Sequence, residues 1–118
     1  MSNKELGRIG EEMAVAFLRK KGLKIVETNW HYQHLEIDVI AKDGDVLVFV
    51  EVKTRRTAYF GNPEEAVSRQ KISRIINASE AYIFEKNYNG ESRFDVISII
   101  IPHNSKPQLE YFEDAFFS

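Results

Sequence analysis

Residues 36–53 read EIDVIAKDGDVLVFVEVK, and this stretch decides the fold. Two runs of strand-forming residues flank Lys42-Asp43-Gly44-Asp45. Asp-Gly between such runs is a strong hairpin signal. The second run, Val46 to Val50, is apolar at successive positions, the pattern of a strand buried on both faces. The open end of the hairpin is charged: Glu36 and Asp38 begin the first strand, and Glu51 and Lys53 finish the second. With Asp43-Gly44 as a two-residue turn, Lys42 faces Asp45, Ile40 faces Leu47, Asp38 faces Phe49 and Glu36 faces Glu51. Paired residues share a face, so Glu36, Asp38, Glu51 and Lys53 are expected on one side, with Ile37 and Val52 on the other. Asp38 and Glu51 are then diagonal neighbours with Cα atoms roughly 7–8 Å apart.

Neighbouring carboxylates repel, and partial burial aggravates the repulsion because desolvation disfavours the charged form. The cluster therefore calls for positive charge. Lys53 brings one ammonium group. A divalent cation brings more, and two carboxylates at this separation can reach one Mg²⁺ at about 2.0–2.1 Å per oxygen. Cysteine is absent, which excludes disulfides and thiolate metal sites. Hard oxygen donors without thiolate favour Mg²⁺ or Mn²⁺ over Zn²⁺. His31, His34 and His103 have no recognisable ligand or triad spacing, and the first two read as turn residues.

Outward from the hairpin, a helix is expected over 3–21. Ser2 with Glu5, or Asn3 alone, caps its start, and Gly22 stops it after Arg19-Lys20-Lys21. One apolar stripe runs through Leu6, Ile9, Met13, Ala16 and Phe17. A second, of mostly small residues, runs Gly7, Gly10, Glu11, Ala14 and Leu18, and places Glu11 in a seam. Residues 23–31 read as a strand, and the hairpin strands as 34–41 and 45–53. After a loop over 54–62, a long helix is expected with Asn62 as N-cap, Pro63 at its first position and Glu65 completing a capping box. It runs to about Lys86, with Val67, Ile72, Ile75, Ile76, Ser79 and Ile83 near one side. Residues 93–101 form a further strand, and 108–113 an edge strand. The order is αβββαββ. A long helix between strands implies a crossover and a locally parallel pair, hence an α/β fold with a mixed central sheet flanked by helices.

With 118 residues, of which 43% are hydrophobic, residues 1–118 are expected to form one domain with a real core. No apolar run approaches the ~18–20 residues of a membrane span. The N-terminus is too polar for a secretory signal. A cytoplasmic address and no membrane partner are expected. The net charge of −2 is unevenly spread: +3 over residues 1–24, −5 over 25–52, +3 over 53–86 and −3 over the remainder. An acidic window between basic ones suits a cation site with positive flanks.

An acid on one strand, a hairpin, then apolar-Glu-x-Lys resembles the PD-(D/E)xK nuclease superfamily, which includes restriction endonucleases and archaeal Holliday-junction resolvases. The opening GRIGEEMAVAFLRKKGLKIVETN resembles the resolvases' helix and strand. More specifically, GRIGEEMA, NWHYQHLEIDVIA, LVFVEVKTRR, GNPEEAVSRQK and RFDVISI resemble the YraN-like family of small bacterial nuclease-like proteins. Leu35 departs from it, standing where that family usually has Gly. The resemblance implies a restriction-endonuclease-like fold and hydrolysis of DNA phosphodiesters, with structured or branched DNA as the expected substrate. Asp38, Glu51 and Glu11 are carried over as catalytic metal-site acids, the carbonyl of Val52 as a further ligand, and Lys53 as the group that orients or deprotonates the attacking water or stabilises phosphate charge. Glu36, Gln70 and Lys71 are expected around them.

Basic residues beside such a site suit phosphate contacts: Arg55, Arg56, Arg69 and Arg74 are the candidates, with Lys71 between them. Tyr59 or Phe60 is placed to stack on a base or wedge a junction. Trp30 reads as core. The apolar tail of Phe112, Phe116 and Phe117 docks either on this domain or on the second subunit of a homodimer. Two other functions fit the residues: a non-catalytic nucleic-acid-binding or adaptor module on the same fold, and a protein-interaction subunit using the exposed aromatics.

Overall fold

The computed structural model describes residues 1–57 and 67–117. Its elements follow the expected order: α1 (Asn3–Lys20), β1 (Lys24–Tyr32), β2 (Leu35–Asp43), β3 (Val46–Arg55), α2 (Arg69–Lys86), β4 (Ser92–Ile100) and β5 (Gln108–Phe116). The five strands lie in sequence order in one sheet. Only β3 and β4 are parallel, as the intervening helix requires. The fold class is therefore the expected one.

Helix α1 packs on one face and α2 on the other. On the α1 side, Ala14 and Leu18 meet Val39, Ala41, Val48, Val50, Ile97 and Ile99. On the α2 side, Ile75, Ala78 and Tyr82 meet Trp30, Ile37, Ile40, Leu47, Phe49 and Phe94. Leu47 to Val50 are all buried, and they divide between these two clusters. That is why the run carries no polar alternation.

Ser2 caps α1, its hydroxyl accepting the Glu5 N–H at 3.1 Å, and Gly22 follows the helix at φ 98°. The buried stripe of α1 is Leu6, Gly10, Ala14 and Leu18. Gly10, Ala14 and Leu18 belong to the small-residue stripe expected to approach a neighbour closely; of the other stripe Leu6 is buried, Ile9, Met13 and Phe17 are half-buried and Ala16 is exposed. Small residues win this face because the sheet comes close. A Cβ on Gly10 would sit 2.8 Å from Thr54 Cβ and 2.9 Å from its Cγ2. Gly10→Ala is therefore expected to destabilise the fold by about 1–3 kcal/mol, the usual cost of overpacking. Thr54→Ala removes Oγ1 and Cγ2 but keeps the Cβ contact, so it should recover part of the loss, and urea unfolding of the two single variants and the double variant checks both.

Three expectations change. First, Asp43 pairs with Val46, so the turn is Gly44-Asp45. Gly44 takes φ 59°, and positive φ at the first central position is what a II′ hairpin turn asks of glycine. The pairing moves by two residues, giving Ile40–Phe49 and Lys42–Leu47 in place of Ile40–Leu47 and Lys42–Asp45. Second, Ile37 packs on the α2 side with Phe49, whereas Val52 packs on the α1 side. Ile37 and Ile40 share a cluster, while Val39 and Ala41 belong to the other, so alternation breaks around Asp38. Opposite the break is Asn29, in the left-handed region at φ 51°, between Thr28–Val39 and Trp30–Ile37 pairs. Third, α2 begins at Arg69, with Ser68 as N-cap accepting the Lys71 N–H at 3.1 Å. Asn62, Pro63 and Glu65 lie outside the described residues.

The far end of β4 holds a buried ion cluster. Asp95 is fully buried and accepts from Arg93 Nε at 3.1 Å, from the Tyr111 hydroxyl and from the Asp114 N–H at 2.9 Å. Arg93 also donates to Asp43 at 2.9 Å. These bonds hold β5 beside β4 where their register shifts between Phe94 and Val96. Phe116 stacks on Phe94 at 4.9 Å, so this part of the tail docks on its own chain, while Phe117 is exposed.

Candidate functional site

The β2–β3 ladder ends at Val39–Val50. Beyond it the strands diverge, and the next residue on each side is acidic: Asp38 and Glu51. Asp38 Oδ2 accepts the Val52 N–H at 2.8 Å, so its carboxylate takes the place of a ladder carbonyl. The opening lets side chains from both helices reach the same place. A cleft of about 730 Å³ results, lined by Asn3, Leu6, Gly7 and Glu11 of the α1 region, Asp38 of β2, Glu51 to Thr57 at the end of β3, and Val67, Ser68 and Lys71 before and within α2.

Glu51 is 6% exposed. Burial, and then the neighbouring Asp38, push its carboxyl up to about 9. Lys71 Nζ, 3.6 Å from Glu51 Oε1, acts in the opposite sense. Glu11 is raised to about 7, by burial first and then by Asp38 and Glu36; a hydrogen bond from Asn29 offsets part of this. At neutral pH Glu51 thus holds its proton and Glu11 is partly protonated. Among the described residues no three carboxylate or imidazole side chains form a ready-made metal-holding group. The close pair is Asp38 and Glu51.

The basic residues separate into two sets. Lys53, Arg55, Arg56 and Lys71 line the cleft. Arg56 Nη1 also donates to the Ile101 carbonyl at 3.2 Å. Arg55 buries Nε and Nη2 without a hydrogen-bond partner among the described residues. Arg69, Gln70 and Arg74 are exposed on α2 and do not line the cleft. Glu36 is exposed and lies 3.6 Å from His31 Nε2. His31 lies within β1, paired with Glu36, rather than in a turn. Tyr59 and Phe60 fall outside the described residues. Trp30 is core, edge-on to Tyr82 at 5.2 Å. The residue missed by sequence reasoning is Asn29. Its signal was available, since asparagine is disfavoured inside a strand such as KIVETNWHY.

The fold and cleft define an α/β protein whose sheet opens at one end onto a cluster of coupled acids with a basic border. Residues 10–99 match the uncharacterised protein family UPF0102, and the chain belongs to that family. It is 45% identical to a UPF0102 protein of Dictyoglomus turgidum over 98% of this chain and 100% of the relative. It is 44% identical to one of Christiangramia forsetii and 42% identical to one of Flavobacterium psychrophilum, each over 96% of this chain and 94% of the relative. The YraN-like expectation holds at this family level. No helix among the described residues is long and apolar enough to cross a membrane.

Proposed function

We propose that this protein is a metal-dependent endonuclease-like hydrolase of DNA phosphodiesters, acting on structured or branched DNA, within the PD-(D/E)xK superfamily. The observation that carries the reading is the meeting of Asp38 and Glu51 at the point where β2 and β3 part, in one cleft with Glu11, Lys53 and Lys71. The donor set fits a hard divalent cation. Asp38 and Glu51 present oxygen donors side by side, and Mg²⁺ typically uses one or two carboxylates, keeping waters and substrate phosphates for its other positions. Asp38 and Glu51, with Glu11 and the Val52 carbonyl, are the residues that would hold Mg²⁺ or Mn²⁺. When bound, such an ion supplies charge stabilisation at a phosphate oxygen and an activated water.

The chain's own residues supply the remaining functions. Lys53 follows Glu51 by two positions on β3 and orients or deprotonates the attacking water, or stabilises the phosphate. Lys71, 3.6 Å from Glu51, favours the ionised form of that carboxyl and so eases the loss of its proton to a cation. Arg55 lines the cleft, and its guanidinium suits a phosphate oxygen. Arg56 adds a second guanidinium at the same border.

The test is a cleavage panel of linear, flapped and four-way DNA with Mg²⁺ and with Mn²⁺, run beside Lys53→Ala. Cleavage of at least one form by wild type, lost in Lys53→Ala, is the expected result. A second reading, a non-catalytic nucleic-acid-binding module, is supported by Lys53, Arg55, Arg56 and Lys71 lining the cleft. It predicts salt-dependent DNA affinity with no cleavage in any arm.

A further inference from the structure

Glu11 comes from α1, yet its carboxylate belongs electrostatically with Asp38 and Glu36 of β2. Something must hold three acids from two elements together. With the Asn29 amide turned so that its nitrogen faces the acids, it donates to Glu11 Oε1 at 2.8 Å and to Glu36 Oε1 at 3.2 Å. The Asn29 backbone carbonyl is held too, accepting from His31 Nδ1 at 2.8 Å, while His31 Nε2 lies 3.6 Å from Glu36. Asn29 is also the residue in left-handed conformation opposite the break at Asp38.

We propose that Asn29 is a positioning residue that holds Glu11 of α1 against the Asp38–Glu51 end of the cleft. Its residue type answers two demands at once. The left-handed backbone is open to glycine and tolerated by asparagine. Glycine, however, offers no donors, whereas the amide bridges two carboxylates. A lysine there would bridge them but cancel their charge. An amide satisfies the acids and leaves the negative field intact for a cation.

The inference rests on the cation-site reading above, so its test has one arm that needs no metal. In the ¹H–¹⁵N spectrum of the intact protein, the Asn29 side-chain amide should exchange slowly and shift on Glu11→Gln. In the second arm Mn²⁺ alone is titrated. Asn29→Gly keeps the backbone conformation and should weaken Mn²⁺ binding about 10- to 100-fold, the usual scale for residues that orient ligands. In a Glu11→Gln background the same change should have little further effect, because contacting residues do not act additively. Equal losses in both backgrounds, or an amide signal indifferent to Glu11→Gln, overturn the proposal. If wild type binds no Mn²⁺, the hydrolase reading falls, and the amide spectrum alone decides where Glu11 is held.

Discussion

Asp38→Asn is expected to lose metal-dependent DNA cleavage by ~10²-fold or more, the scale on which loss of one charge-stabilising group lowers turnover. Asparagine is the informative choice. Asp38 Oδ2 accepts the Val52 N–H, and an alanine would leave that buried donor unpaired, mixing a folding defect into the kinetics. The asparagine carbonyl keeps the acceptor and removes the charge. Circular dichroism and the urea midpoint should therefore remain near wild type while cleavage collapses. If wild type and Asp38→Asn leave equal residual activity, that activity comes from a contaminating nuclease and the catalytic reading fails.

The stability of the metal-free protein is expected to fall as pH rises from about 5 to about 9. The cause is Glu51. Its carboxyl titrates at 4.5 when solvated and at about 9 in the fold. Between those values the folded state holds a proton that the unfolded state has released. Stability contributed by this group is thus present at low pH and lost as pH climbs, by up to ~1.4 kcal/mol per pH unit for one proton. Glu11, raised to about 7, adds a slope of the same sign that ends near neutrality. Glu51→Gln should remove the Glu51 part, leaving a variant equal to wild type near pH 4 and more stable near pH 8. Urea unfolding across this range in a chelator is the measurement. An unchanged slope in Glu51→Gln would show that Glu51 is not the group responsible. Added Mg²⁺ should offset the alkaline loss in wild type, since a cation then takes the proton's place, and should not do so in Asp38→Asn.

Much of this protein is legible in one dimension because the signals are local. Ser2, Gly22 and the Asp-Gly step act over a few residues, and the apolar run of β3 reports burial on both faces. The hairpin register differs by two residues from the expected one because Asp43-Gly44 and Gly44-Asp45 are both acceptable turns, and a shift of two leaves each side chain on the same face, so the hydrophobic pattern does not tell them apart. The small-residue stripe of α1 was legible as a close-packing face, but the strand it meets was not. Thr54, far along the chain, selects glycine at position 10.

Local patterns along the chain carry the order of elements, the two-sided burial of β3, and which acids and bases are candidates for chemistry. The tertiary structure decided which of them meet. Asp38 and Glu51 converge because the β2–β3 ladder stops, Glu11 joins them because α1 packs close, Asn29 lies opposite Asp38 because a left-handed residue interrupts β1, and Arg69 and Arg74 stay outside the cleft on the exposed side of α2. Backbone propensity is a short-range property that a sequence carries openly. The distance between two carboxylates on different strands depends on where hydrogen bonding ends, and that is set by the packing of the whole sheet.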